Sequence, residues 1–171
     1  MEQSNPAFRI PVSYIDKSRV YYAAHEYPEP YRWANNEDSP FVRPQKPLSE
    51  CRVGIITTTS LLGNGETTET PSNRRAPKTT YASPVSPEPE AMYTLDLSWD
   101  KDATHTRDVE SFLPLQTLQS FTFEGRIGGV SPRFYGVPTE YSQRRTTDAD
   151  APEILAMCRE DAVDLALLIP L

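Results

Sequence analysis

Cysteine is scarce in this sequence: Cys51 and Cys158 are its two thiols, far apart and without partners at metal-ligand spacing. That excludes a disulfide framework and gives no zinc site. Cys158 falls four residues after Ile154 on the apolar face of a helix candidate, where a free thiol acts as a small inert hydrophobe. Long hydrophobic runs are also missing. No window approaches the roughly 18 to 20 consecutive apolar residues of a membrane span, and the start Met1-Glu2-Gln3-Ser4-Asn5 lacks a basic-then-apolar signal pattern. A cytoplasmic protein without membrane contact is the expectation. Basic residues are outnumbered, 17 against 24 acidic, for a net charge of −7, which argues against a nucleic-acid partner. Only seven glycines stand against 17 prolines, so loops are held by fixed φ angles and helices should be few and short.

What is present suits a single domain with a modest core. The apolar share of 37% and aromatic share of 10% are low for a globular chain, yet too rich for a wholly disordered one. Residues 1–50 read as an N-terminal helix, Ser13 to His25, followed by an irregular wrap from Glu26 to Pro47 that its aromatics would anchor. Residues 51–171 read as an α/β domain. Arg52 to Thr59 is a β-branched, apolar run with the pattern of a strand buried on both faces of a parallel sheet. Gly63 to Glu90 has neither helical nor strand period and reads as a long polar loop, either mobile or covering a site. Met92 to Trp99 alternates like an edge strand, and Asp100 to Asp108 is a charged loop. A short amphipathic helix is expected from Leu113 to Phe123, with Gly125 just past its end. Ile127 to Val130 reads as a brief strand and Ser131 to Pro138 as a rigid, turn-rich connection. Asp150 is a good N-cap for a helix from Ala151 to Asp161, and Val163 to Leu171 is a second buried strand. The fold class that follows is α/β, a mostly parallel sheet with flanking helices, incomplete at its carboxyl end. In such sheets ligands bind beyond the carboxyl ends of the strands, and here the last core strand ends the chain.

Three groups of residues carry candidate chemistry. Thr57-Thr58-Thr59-Ser60, at the end of the first buried strand, offers hydroxyls and backbone donors for a carboxylate or phosphate. No glycine-rich fingerprint or lysine accompanies it, so orienting a substrate fits better than nucleophilic attack. His105 stands among Asp100, Asp102, Arg107 and Asp108, where carboxylates can tune an imidazole for proton transfer near neutral pH. A solvated loop histidine is the plain alternative. Asp100, Asp102 and His105 match no defined metal loop and lack a fourth ligand, so no metal is expected. Arg126 and Arg133 flank Gly128-Gly129, where a guanidinium can clamp a carboxylate, with surface solvation as the equal alternative.

Several segments together resemble one family. Tyr14-Ile15-Asp16, Tyr21-Tyr22, Pro30-Tyr31-Arg32-Trp33-Ala34, Pro40-Phe41, Lys46-Pro47-Leu48-Ser49-Glu50-Cys51-Arg52-Val53 and Thr57-Thr58 come first. Phe112-Leu113-Pro114-Leu115, Glu124-Gly125-Arg126-Ile127-Gly128, Ala151-Pro152-Glu153-Ile154 and Cys158-Arg159-Glu160-Asp161 follow. In this order they are similar to component B of glycine, sarcosine and betaine reductase (selenoprotein B) and to D-proline reductase. The resemblance spans about 150 residues; each piece alone is only a short structural signature.

It implies a reductase subunit whose selenocysteine or cysteine attacks an activated amino acid or amine and breaks a C–N bond. Electrons would come from thiols or a thioredoxin-like donor, and a pyruvoyl group on another subunit would activate the amine. In the family the nucleophile sits in a Sec- or Cys-Pro-x-Cys motif directly after the strand matching Leu165 to Leu171. This chain stops just before it, and Cys51 and Cys158 do not match its position, so no cofactor is expected within the chain and by itself it should be inactive. A selenocysteine codon is also a stop codon, so a frame read without recoding would end at Leu171. Thr57 and Thr58 would then orient substrate, and His105 would donate a proton to the leaving amine. Thr59-Ser60-Leu61-Leu62 is bulkier than the small residues of many relatives, so substrate identity does not carry over. Two rivals stand beside this reading: a non-catalytic binding or scaffold subunit lacking the redox motif, and a racemase- or lyase-like α/β enzyme. The latter would need two opposed acid/base groups that the cysteines do not supply.

Overall fold

The computed structural model describes residues 13–27, 29, 34, 36–38, 40–62, 78–94, 105–140 and 142–171. The chain divides into two compact units, Met1–Pro40 and Phe41–Leu171. In the first, α1 spans Ser13–Ala24, one residue shorter than its apolar pattern suggests. Its Val20, Tyr21 and Tyr22 are exposed, and edge-to-face ring contacts join Tyr22 to Tyr21 and to Tyr27. Of the aromatics expected to anchor the following wrap, Tyr27 and Phe41 are exposed, while Tyr31 and Trp33 lie outside the described residues.

The second unit is an α/β fold on a mostly parallel sheet. Its central strand β1, Arg52–Thr57, is buried on both faces, as its β-branched and apolar run requires. One edge of β1 pairs in parallel with β7, Leu165–Ile169, in a register running from Val53 opposite Leu165 to Thr57 opposite Ile169. The other edge is shared by β5, Gly129–Val130, and β6, Arg133–Gly136, both parallel to β1. β3, Tyr81–Pro84, closes that side antiparallel to β6, and β2, Ser60–Leu61, with β4, Met92–Tyr93, forms a separate antiparallel ribbon. Among the described residues no strand pairs with the outer edge of β7, and the strand expected to be buried is instead a largely exposed edge strand, with Leu167 and Leu168 open to solvent. No described helix is long and apolar enough to cross a membrane.

Two segments expected to be irregular enter this sheet. Ser131 to Pro138 is a strand across Arg133–Gly136 because Phe134 and Tyr135, both fully buried, have one side chain for each face of the sheet. Pro132, which has no N–H to donate, separates it from β5. Tyr81–Pro84, inside the supposed loop of residues 63–90, pairs with β6 because Tyr81 lies on Gly136: a Cβ there would fall 1.9 Å from the tyrosine ring. Residues 63–77, and residues 95–99 of the expected strand to Trp99, lie outside the described residues.

Each face of the sheet has its own core. Val53, Ile55 and Phe134 pack with Phe112, Leu113, Leu115 and Leu118, the last two being on α2, Leu115–Phe123. The opposite face packs Tyr135 with Ile154 and Cys158 of α4, Ala151–Glu160. α2 ends as its sequence dictates. Gly125 takes φ +69°, Gly125 N–H donates to Thr122 O at 3.0 Å and Arg126 N–H to Phe121 O at 2.9 Å, a Schellman closure. The close approach expected near Gly128-Gly129 is found at Gly128, where a Cβ would lie 2.4 Å from the Glu50 carbonyl carbon.

The last helix begins earlier than Asp150 suggests. Ser142 caps it, its Oγ accepting from Arg145 N at 3.3 Å. A short α3, Gln143–Arg145, runs through a π-helical stretch, Thr146–Asp150, into α4. Asp150 therefore has helical φ and ψ and caps nothing. The wider π turn ends two residues before Pro152, whose missing N–H and ring disfavour a regular α-helical interior.

Candidate functional site

The threonine run stands where parallel sheets bind ligands, at the carboxyl end of β1 beside the carboxyl ends of β6 and β7. Its three hydroxyls have different surroundings. Thr57 and Thr59 are fully buried and their Oγ1 atoms lie 3.1 Å apart, while the Thr59 hydroxyl is also 3.7 Å from Met92 Sδ. The Thr58 hydroxyl instead accepts from Leu171 N–H at 2.8 Å and donates to Leu171 O at 3.1 Å. It thus clasps the main chain just beyond β7. Tyr81 secures the turn from the other side, its hydroxyl donating to Thr59 O at 2.9 Å. Burial pushes the Tyr81 phenol above its usual range, so this donor keeps its proton at any physiological pH.

Next to Thr58 a cleft of about 590 Å³ opens between α4 and β7. Ile154, Leu155, Leu168 and Pro170 give it an apolar lining, with Thr58 and the Asp150 carboxylate among its few polar groups. Arg145 stands 3.5 Å from Asp150 and 3.3 Å from Glu140, and it also donates to Lys78 O. An apolar cleft with a few polar groups is the usual form of a small-molecule site.

The two arginines lie elsewhere and are occupied. Arg133 makes the bidentate clasp on a carboxylate that its residue type favours, but the carboxylate is Asp161 of the same chain. Nε and Nη2 donate to its two oxygens at 2.8 and 3.1 Å, and Nη2 also reaches Glu160 at 3.1 Å. Arg52, the first residue of β1, donates to Asp161 O at 2.7 Å, so this network closes the amino end of the sheet, opposite the threonines. Tyr135 adds a 2.6 Å hydrogen bond to Asp161, and Ser131 lies 3.0 Å from its phenol oxygen. Arg133 foremost, and then the Tyr135 hydroxyl, hold the Asp161 carboxyl below the ordinary range, against the opposing effect of burial. Burial, with the Asp161 hydrogen bond second, pushes the Tyr135 phenol up. Arg126 stacks its guanidinium 3.8 Å over the Phe121 ring, across the Schellman closure of α2.

His105 is exposed, and among the described residues no hydrogen bond or ion pair joins it to the threonine run. Asp100 and Asp102 lie outside the described residues. The two thiols differ in place: Cys158, on α4, lines the cleft between α4 and β7, whereas Cys51 does not. Cys51 is fully buried, its S–H directed at Pro47 O at 3.3 Å, and burial raises the pKa of Cys158, lowering its thiolate fraction. Among the described residues no group of three His, Cys, Asp or Glu side chains is arranged to hold a metal ion.

Sequence reasoning missed Tyr81, Asp161, Tyr135 and the Arg145–Asp150 pair. The one local sign for Tyr81 was Thr79-Thr80-Tyr81, a β-forming triplet inside a proline-rich stretch. Asp161 and Tyr135 are 26 residues apart, and no spacing rule links them. No family model, curated protein or solved structure matches this chain.

Proposed function

We propose that this chain is part of a selenol- or thiol-dependent reductase that cleaves a C–N bond of a small amino acid or amine, of the glycine, betaine or D-proline reductase type. The reading rests on the ordered segments from Tyr14 to Asp161 that resemble that family. The observation that supports it is the clasp between the Thr58 hydroxyl and Leu171, at 2.8 and 3.1 Å. A selenocysteine or cysteine following Leu171 would start beside Thr58, at the carboxyl edge of a parallel sheet and next to an apolar cleft. Thr58 would hold that segment and orient substrate there, and His105 would donate the proton to the departing amine. Thr57 and Thr59 would stiffen the turn through their mutual hydrogen bond. Partners in the proposal are the other reductase subunits, one with a pyruvoyl group, and a thiol or thioredoxin-like donor. A cytoplasmic setting belongs with it, since such a donor works where thiols stay reduced.

A non-catalytic binding subunit is the second reading, favoured by one observation: both thiols of the chain are buried. The test is the intact mass of the native protein, with and without iodoacetamide at neutral pH under reducing conditions, beside the transcript beyond codon 171. An in-frame UGA followed by Pro-x-Cys, a mass above 19.3 kDa and rapid alkylation beyond Leu171 support the reductase. A second stop codon, a mass of 19.3 kDa and no alkylation of the folded chain would reject it in favour of the binding subunit.

A further inference from the structure

We infer that Tyr81 is the positioning residue of the threonine site, acting through Thr59 to aim the Thr58 hydroxyl at the main chain beyond β7. As a role within the site it deepens the reductase reading and rests on it, but the coupling is a property of this chain alone and is measured without substrate.

The residues form a short physical chain. The Tyr81 hydroxyl donates to Thr59 O at 2.9 Å. Thr59 N–H and Thr59 Oγ1 both turn back onto Thr57 Oγ1, at 3.4 and 3.1 Å. Thr57 is itself fixed on both edges of β1, by Val137 N–H donating to Thr57 O at 2.8 Å and by its register with Ile169. Thr58 is thus suspended between two buried residues, and its hydroxyl alone of the three faces Leu171. Without the Tyr81 bond the Thr59 carbonyl loses its anchor, and beyond Thr58 the turn is held by the Thr59 hydroxyl at Met92 Sδ, a long 3.7 Å contact, and by the two-residue pairing of β2 with β4.

The fold makes room for this anchor specifically. Tyr81 reaches Thr59 by lying across Gly136, whose position would put any Cβ 1.9 Å from the ring, and it meets Phe134 edge-on with ring centroids 6.2 Å apart. Strand β3, which carries Tyr81, is held by its four-residue antiparallel register with β6. The preceding residues are tied to the last helix, where Thr80 bonds the Glu153 carboxylate and Lys78 O accepts from Arg145. A segment that reads as loop in the sequence therefore supports the site from outside the parallel part of the sheet.

The experiment is amide hydrogen exchange by NMR on the full chain, comparing wild type with Tyr81→Phe, Thr58→Val and the double variant. Tyr81→Phe keeps the ring against Gly136 and removes only the hydroxyl. The Leu171 amide, bonded to a side chain rather than to the ladder, exchanges through local opening, which a general loss of stability leaves unchanged. The expected result is a Leu171 amide about fivefold faster in Tyr81→Phe, the worth of one neutral hydrogen bond. The double variant should be no faster than Thr58→Val alone. A Leu171 rate unchanged in Tyr81→Phe, with only the slowest β1 amides accelerated, would overturn the inference and leave Tyr81 as a packing residue. Additive effects in the double variant would overturn it too, because Tyr81 would then act independently of Thr58. Neither result bears on the reductase reading, which stands or falls on the mass and alkylation test.

Discussion

Replacing Asp161 with Asn decides what Arg133 is for. The substitution keeps shape and removes the charge that accepts from Arg133 at 2.8 and 3.1 Å and from Tyr135 at 2.6 Å. A hydrogen bond to a charged group contributes about 1.5 to 3 kcal/mol, against roughly 0.2 to 1 kcal/mol for an exposed ion pair. The Asp161 side chain is 12% exposed and that of Arg133 33%, so the pair lies between the two regimes. The Asn oxygen still accepts one neutral bond. A loss of about 2 kcal/mol at pH 7 is the expected outcome, or a Tm lower by about 4 to 8 °C for a chain of this size. Urea unfolding gives the number directly. The pH dependence supplies a second reading. The folded Asp161 pKa lies below its unfolded value of about 3.9, so its stabilisation is fully present above that pH and disappears as pH falls through the folded pKa. The gap between wild type and Asp161→Asn should therefore shrink steadily below about pH 4. If Arg133 instead serves a ligand carboxylate, freeing it from Asp161 would leave stability unchanged and strengthen anion binding. A loss under about 0.5 kcal/mol at pH 7, within the range of an ordinary surface substitution, would refute the structural role given to the pair.

Four further outcomes are expected. Gly128→Ala forces a Cβ to 2.4 Å from backbone at Glu50, which cannot swing aside, so a cost of about 2 to 3 kcal/mol in the free energy of urea unfolding is expected; Gly125→Ala meets open space and loses only the left-handed preference, about 1 kcal/mol. Ala162 ends α4 at φ +52° with Val163 N–H bonded to Cys158 O at 2.9 Å, so Ala162→Gly should raise stability by about 0.5 kcal/mol, seen as a higher Tm. Under the proposed reductase reading, Thr58→Val should raise KM for the amine substrate several-fold while the urea midpoint moves little; an unchanged KM would remove the threonine from the site.

The sequence by itself determined the local elements whose causes are local. The β-branched run at Arg52 to Thr57, the amphipathic α2 and the glycine that ends it at Gly125 were all legible, and with them the α/β class. It also showed that the threonine run ends β1, because the apolar run and its polar terminus are written in consecutive residues. What it did not determine were roles set by partners distant in the chain. Arg133 has the same chemistry whether it meets a ligand or an internal partner, and only the fold brings Asp161 beside it. Asp150 has the residue type of a cap, but the helix had already started at Ser142. Tyr81 sits in a proline-rich stretch with no strand period, and it becomes a strand residue because Gly136, 55 positions later, leaves space for its ring. Periodicity records which face of an element is apolar; the identity of what meets that face, and which of the three hydroxyls meets the main chain beyond β7, is settled by tertiary packing alone.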